Sequence, residues 1–143
     1  DDHSRLAYAE VLADETAETT AGFLQRAVAW YAAQGIAVER LLTDNGSAYR
    51  SHLFAQVALA LGISQRFTQA YRPQTNGKAE RVIRTLMDMW HNPTCFKDSA
   101  DRHIQLARFI NFYNTVKPHK GLNNATPYEI LNAYFNQPLC KQP

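Results

Sequence analysis

The stretch Ile36 to Arg50, IAVERLLTDNGSAYR, constrains the fold more than any other part of the chain. An apolar run built on Ile36, Val38, Leu41 and Leu42 ends at Thr43, and Asp44 follows at once with Asn45-Gly46 behind it. The run predicts a buried strand, and Asn-Gly supplies the left-handed backbone that a tight turn requires. A carboxylate at the carboxyl tip of a strand lies where α/β folds place ligand-binding or catalytic groups, because the loops there open onto a crevice. The same residues are also ordinary turn chemistry, the carboxylate bonding neighbouring amides and nothing more. This stretch alone leaves both readings open.

Strands and helices alternate around it. RLAYAEVL, residues 5–12, predicts a strand with Leu6, Tyr8 and Glu10 on one face and Ala7, Ala9 and Val11 on the other. TAETTAGFLQRAVAWYAAQG predicts a long helix with a packing stripe of Phe23, Ala27, Trp30 and Tyr31 and a C-terminal stop at Gly35. After the strand at 36–43, SHLFAQVALALG forms a second helix through Leu53, Phe54, Val57 and Leu61, and ISQRFTQ a short strand. AYRPQTNG is a loop by composition, and a third helix runs from about Asn76 to Trp90 with Val82, Ile83, Leu86, Met89 and Trp90 as its packing side. A further helix spans 100–114. The turn-rich remainder holds one short helix opening at Pro127 behind a threonine cap.

With 143 residues the chain suits one domain able to bury roughly two-thirds of its unfolded surface. Its 15 Lys and Arg against 13 Asp and Glu neither demand nor exclude a polyanionic partner. Cys95 and Cys140 stand far apart in no metal-ligand spacing, so two free thiols in a reducing compartment are expected. No stretch approaches a membrane span or a signal peptide, and the expected location is the cytoplasm.

Glu80 sits one turn into the third helix, sharing a face with Gly77, Arg84 and Met87 and turned away from Val82, Leu86 and Met89. Taken singly, a helical glutamate four residues before an arginine is an ion-pair partner worth a few tenths of a kcal/mol. The joint pattern is more specific: T-D-N-G at a strand tip, then Y-x-P-Q-[ST]-x-G-x-x-E, with 35 residues between the two acids.

These motifs resemble the catalytic core of DDE-type recombinases, the retroviral integrases and insertion-sequence transposases. DDHSRLAYAEVL resembles the hairpin after that family's first strand, LLTDNGSAY its second acidic motif and YRPQTNGKAER its third. FYNTVKPHKGLNNATPYE is similar to the Y-N-x-x-R-P-H-x-x-L…T-P segment of bacterial transposases, with Lys117 where those carry arginine. The resemblance implies an α/β, ribonuclease-H-like fold, a mixed sheet flanked by helices and lacking its first strand or strands. It also implies a core over residues 1–115 and a C-terminal extension over 116–143.

By the same resemblance Asp44 and Glu80 are the catalytic residues and the ligands of Mg²⁺, or Mn²⁺ in its place, in a site that holds two ions when complete. Metals roughly 3.5–4 Å apart stabilise both the attacking and the leaving oxygen of an in-line displacement at phosphorus. Hard cations favour carboxylate oxygens. The third acid of the family's triad is expected upstream of residue 1. Asp1 and Asp2 match the hairpin turn instead, which their own chemistry suits. The implied reaction is 3′-end cleavage and strand transfer on DNA, with no covalent protein intermediate.

Tyr71, Arg72, Gln74, Lys78, Arg81 and Arg84 cluster around Glu80 and are the expected DNA contacts, the basic ones binding phosphates. Surface basic residues are usually just solvated, which is the alternative reading of the four cations, and a packed aromatic is that of Tyr71. His119, alone between lysines, is a weak metal-ligand candidate. The resemblance further implies element ends and target DNA as partners, a homo-oligomer assembled on DNA, no membrane partner, and a nucleoid-associated bacterial protein. The alternative function is a truncated, inactive remnant that binds DNA or transposase subunits without catalysis.

Overall fold

The computed structural model describes residues 1–69 and 77–137. They fall into two compact units, one of Glu10–Pro93 and one of Asp1–Ala9 with the described residues from Thr94 onward.

In the first unit, helix α1 (Ala17–Ala33) starts at Thr16, whose side chain accepts a bond from the Thr19 N–H, and stops at Gly35 with φ of 79°. Strand β1 (Arg40–Thr43), helix α2 (His52–Ala60) and strand β2 (Ser64–Phe67) then form one β-α-β unit with the strands parallel. Leu41 pairs with Gln65 and Thr43 with Phe67. Such pairing requires a crossover, and α2 supplies it. Ser51 caps α2 by accepting from the Phe54 N–H, and Gly62 at φ 71° ends the turn after it.

Ala21, Leu24, Phe54, Ala58 and Ile63 form the buried cluster, with Val28, Val38, Leu41, Tyr49, Leu53 and Val57 packed against it. Phe54 is 1% exposed, a burial worth roughly 2–3 kcal/mol. The inward face of α1 therefore carries Ala21, Leu24 and Val28, not the expected stripe of Phe23, Ala27, Trp30 and Tyr31. Small Ala21 and Ala58 leave room for the Phe54 ring, and Trp30 and Tyr31 stay half-buried, edge-on to each other at 5.1 Å.

Helix α3 (Gly77–Leu86) buries none of its ten residues. Its expected packing side holds in part: Val82 and Leu86 are half-buried and Trp90 buried, while Ile83 and Met89 are exposed. The helix widens at Met87–His91 into a π-helical turn, closed by the Asn92 N–H bonding the Met87 carbonyl at 2.9 Å.

In the second unit, residues 5–12 form no strand as far as Ala9, nor do 10–12 in the first. A strand needs a neighbouring backbone, and Ala7 finds a side chain instead. Its N–H donates to Asn114 Oδ1 at 2.9 Å and its carbonyl accepts from Asn114 Nδ2 at 2.8 Å. Leu6 and Ala7 are consequently both buried, which breaks the expected alternation of faces.

Helix α4 (Ser99–Thr115) carries Asn114 in its last turn and is capped by Asp98 accepting from the Asp101 N–H. Helix α5 (Pro127–Phe135) opens with a reciprocal capping box between Thr126 and Glu129. Between them His119 is a hub: its N–H bonds the Ala125 carbonyl, and its carbonyl accepts from Leu122 and Asn124. Asn123 and Asn124 hold φ of 54° and 67°, a region asparagine tolerates better than most residues. Among the described residues no helix is long and apolar enough to cross a membrane.

Asn114 is 2% exposed, so truncating it strands a backbone donor and acceptor away from water. The variant Asn114→Ala is expected to lose about 2–4 kcal/mol of stability in chemical denaturation. A loss below about 0.5 kcal/mol would show that the clamp on Ala7 does not hold in solution.

Candidate active site

Asp44 follows the last residue of β1, and its side chain is exposed. Its Oδ1 accepts the Gly46 N–H at 2.8 Å, closing an Asx turn that orients the carboxylate. Gly46 does not adopt the left-handed backbone expected of it, and its neighbours approach it closely. A Cβ there would lie 3.0 Å from Asp44 Oδ1 and 3.4 Å from the Tyr49 ring.

The loop after Asp44 is tied to β2 at several points. The Thr68 N–H bonds the Thr43 carbonyl at 2.8 Å, and Asn45 Nδ2 donates to the Thr68 carbonyl at 3.0 Å. Gln65 Nε2 donates to Thr43 Oγ1 at 3.2 Å and to the Tyr49 carbonyl at 2.9 Å. Tyr49 is half-buried, edge-on to Phe54 at 5.3 Å. Burial pushes its phenol above the ordinary value of 10, and the negative charges of Asp44 and Glu15 push it the same way.

Glu80 stands exposed in the first turn of α3, where the helix dipole favours an acid. No ion pair joins it to Arg84 among the described residues, so the plain helical-pair reading has no bond behind it. Lys78, Arg81 and Arg84 lie exposed on the same ten-residue helix. Tyr71, Arg72 and Gln74 fall outside the described residues.

The structure thus gathers Asp44 with Asn45, Gly46, Tyr49 and Gln65 at the tip of β1, and separately Lys78, Glu80, Arg81 and Arg84 on α3. Among the described residues no three His, Cys, Asp or Glu side chains gather into a set that could hold a metal ion. Asp44 and Glu80 have the hard oxygen chemistry that Mg²⁺ favours, but two carboxylates are a partial donor set.

Other polar candidates have structural partners. The Asp1 carboxylate accepts both the N–H and the hydroxyl of Ser4, as a turn residue does. His119 Nε2–H donates to the Tyr113 carbonyl at 3.0 Å, and its ring meets that of Tyr113 edge-on at 4.4 Å. Burial holds this imidazole below its ordinary pKa, opposed by that bond and reinforced by the charges of Lys117 and Arg5. Cys95 is a free, exposed thiol, and Cys140 lies outside the described residues. The sequence reading missed Gln65; its one signal was a polar residue on the inward face of a short strand.

Two family models, both described as an integrase core domain, match residues 1–73 and 61–127. The chain belongs to the integrase core family. The relatives agree. A protein of insertion element IS136 from Agrobacterium fabrum is 32% identical over 92 residues, 64% of this chain and 47% of its own length. A putative transposase of insertion element IS2E from Escherichia coli is 33% identical over 90 residues, 63% of this chain and 41% of its own length. The chain therefore spans less than half the length of these relatives.

Among solved structures, the catalytic core domain of BIV integrase aligns at a TM-score of 0.68 with 26% identity, over 92% of this chain and 81% of that one. A simian T-cell lymphotropic virus intasome in complex with a PP2A regulatory subunit aligns at 0.65 with 20% identity, over 90% of this chain and 43% of that one, and speaks for the fold. The integrase core here has the ribonuclease-H-like α/β fold expected of it. Its described sheet is the parallel β1–β2 pair.

The proximity of Asp44 to Tyr49 in this integrase core has a titration signature. In Asp44→Asn the Tyr49 phenol should titrate at lower pH than in the parent, yet still above 10, because burial is the larger cause. Ring NMR shifts followed against pH read this directly. An unchanged titration would place the Asp44 carboxylate elsewhere.

Proposed function

We propose that this chain is part of the catalytic core of an insertion-sequence transposase, acting in metal-dependent polynucleotidyl transfer on DNA. The observation that carries the reading is Asp44: in a chain of the integrase core family, an exposed carboxylate stands at the carboxyl end of a parallel strand, aimed by one backbone amide.

In this reading Asp44 and Glu80 are the chain's two metal ligands and catalytic acids. The ions, when bound, stabilise charge on the attacking and leaving oxygens at phosphorus. The chain's own groups prepare the site. Gly46 orients the Asp44 carboxylate, and the first turn of α3 presents Glu80. Lys78, Arg81 and Arg84 bind DNA phosphates along α3, with Tyr71, Arg72 and Gln74 contributing from the preceding segment. Phosphate contacts position the duplex without reading its sequence. Element ends and target DNA are the substrates, and the working form is a homo-oligomer on DNA. Residues 1–115 make the core and 116–143 an extension of it.

The test is Mg²⁺- or Mn²⁺-dependent DNA cleavage by this chain and by a version extended upstream through its own coding sequence. The extended protein should cut, and both Asp44→Asn and Glu80→Gln should reduce cutting to background while leaving the fold intact. Cutting by the short chain that depends on Glu80 would place all required acids within it. If neither version cuts, yet both bind DNA in a salt-sensitive and metal-independent way, the non-catalytic remnant replaces this reading.

A further inference from the structure

We infer that Gln65 is a positioning residue for Asp44, a brace on β2 that holds the carboxylate's loop in the geometry a metal ion would meet. The inference rests on the reading of Asp44 as a metal ligand and adds a residue that the acidic motifs do not contain.

The Asp44 side chain is exposed, and its orientation depends on the bond from the Gly46 N–H. The carboxylate is thus only as fixed as the loop that carries Gly46. Useful sites hold their ligands to within about 0.5 Å, which an exposed loop does not do unaided. Gln65 provides the aid. Its amide nitrogen has two hydrogens, and the two acceptors lie either side of the acid: the Thr43 hydroxyl one residue before it and the Tyr49 carbonyl five residues after. One side chain therefore spans the whole excursion from residue 43 to 49.

Its placement makes the brace durable. Gln65 pairs with Leu41 in the parallel register and lies half-buried, and Thr43 is only 6% exposed, so the Thr43 bond is shielded from water. Asn45, which bonds the Thr68 carbonyl, is exposed and exchanges with solvent more readily. Tyr49, pinned through its carbonyl, packs its ring beside Gly46, where a Cβ would lie 3.4 Å from it. Bracing, close approach and carboxylate direction are consecutive links of one chain.

The experiment uses this chain, isotopically labelled, with Mn²⁺ alone as probe. Backbone order parameters of Asn45–Ala48 should be near 0.85 in the parent and fall below about 0.6 in Gln65→Leu. Those of Phe54 and Ala58 in α2 should stay unchanged. Asp44-dependent Mn²⁺ broadening should need roughly tenfold more metal in the variant, the scale on which a ligand's supporting shell matters. Gln65→Glu keeps the shape and loses the donor to the Tyr49 carbonyl, while its carboxylate can still accept the Thr43 hydroxyl, so it should loosen the loop to a lesser degree.

A loop that stays ordered in both variants overturns the brace. So does a loss of order shared by α2, which would make Gln65 a general stabiliser, and so does an unchanged Mn²⁺ affinity with a loosened loop. If Asp44→Asn leaves the parent's Mn²⁺ broadening intact, the metal-ligand reading of Asp44 fails, while the order parameters still decide the brace on their own.

Discussion

One hydrogen bond, from the Gly46 amide to the Asp44 carboxylate at 2.8 Å, links the fold of this chain to its chemistry. It is set in a close approach, where a Cβ at residue 46 would lie 3.0 Å from that carboxylate and 3.4 Å from the Tyr49 ring, and the ends of the loop are tied to β2. Those ties exist because β1 and β2 are parallel neighbours, and they are neighbours because α2 packs Phe54 and Ala58 beneath α1. A core of about a dozen apolar side chains thereby sets the direction of one exposed carboxylate.

The second unit solves a different problem with a similar device. Where a backbone segment lacks a strand to pair with, the Asn114 amide offers one donor and one acceptor in the spacing of a ladder partner. His119 then organises the turn-rich segment through its backbone and its ring, and Thr126 and Glu129 start the last helix. Residues that resemble a transposase signature thus have identifiable structural employment: Tyr113, Asn114, His119 and Thr126 are held by, or hold, the chain around them. His119 is held through both its ring and its backbone.

Much of this was legible in the sequence, for physical reasons. Thr16, Ser51 and Pro127 announce helix starts through local capping chemistry, and Gly35 and Gly62 announce stops through positive φ, all within a few residues of chain. Asp44 was legible because a strand tip followed by a turn is also local. What failed depends on distant partners. The alternation of residues 5–12 is a good strand pattern, yet a strand forms only against a backbone, and Asn114 intervenes from 107 residues away. The inward face of α1 was set by the Phe54 ring rather than by the largest side chains of the helix, and Gln65 gains meaning only once β2 lies beside β1.

Asp44, at a strand tip, and Glu80, on α3, are the two metal ligands on which the proposed chemistry depends, Asp44 bridging or binding one ion and Glu80 the other. A crystal structure of the chain grown with Mn²⁺, located by its anomalous scattering, tests this most directly. The account predicts a metal bonded to a carboxylate oxygen of each residue, with the Gly46 amide still holding Asp44 Oδ1. Metal bound away from both residues, or found at Asp44 with none at Glu80, would contradict these roles.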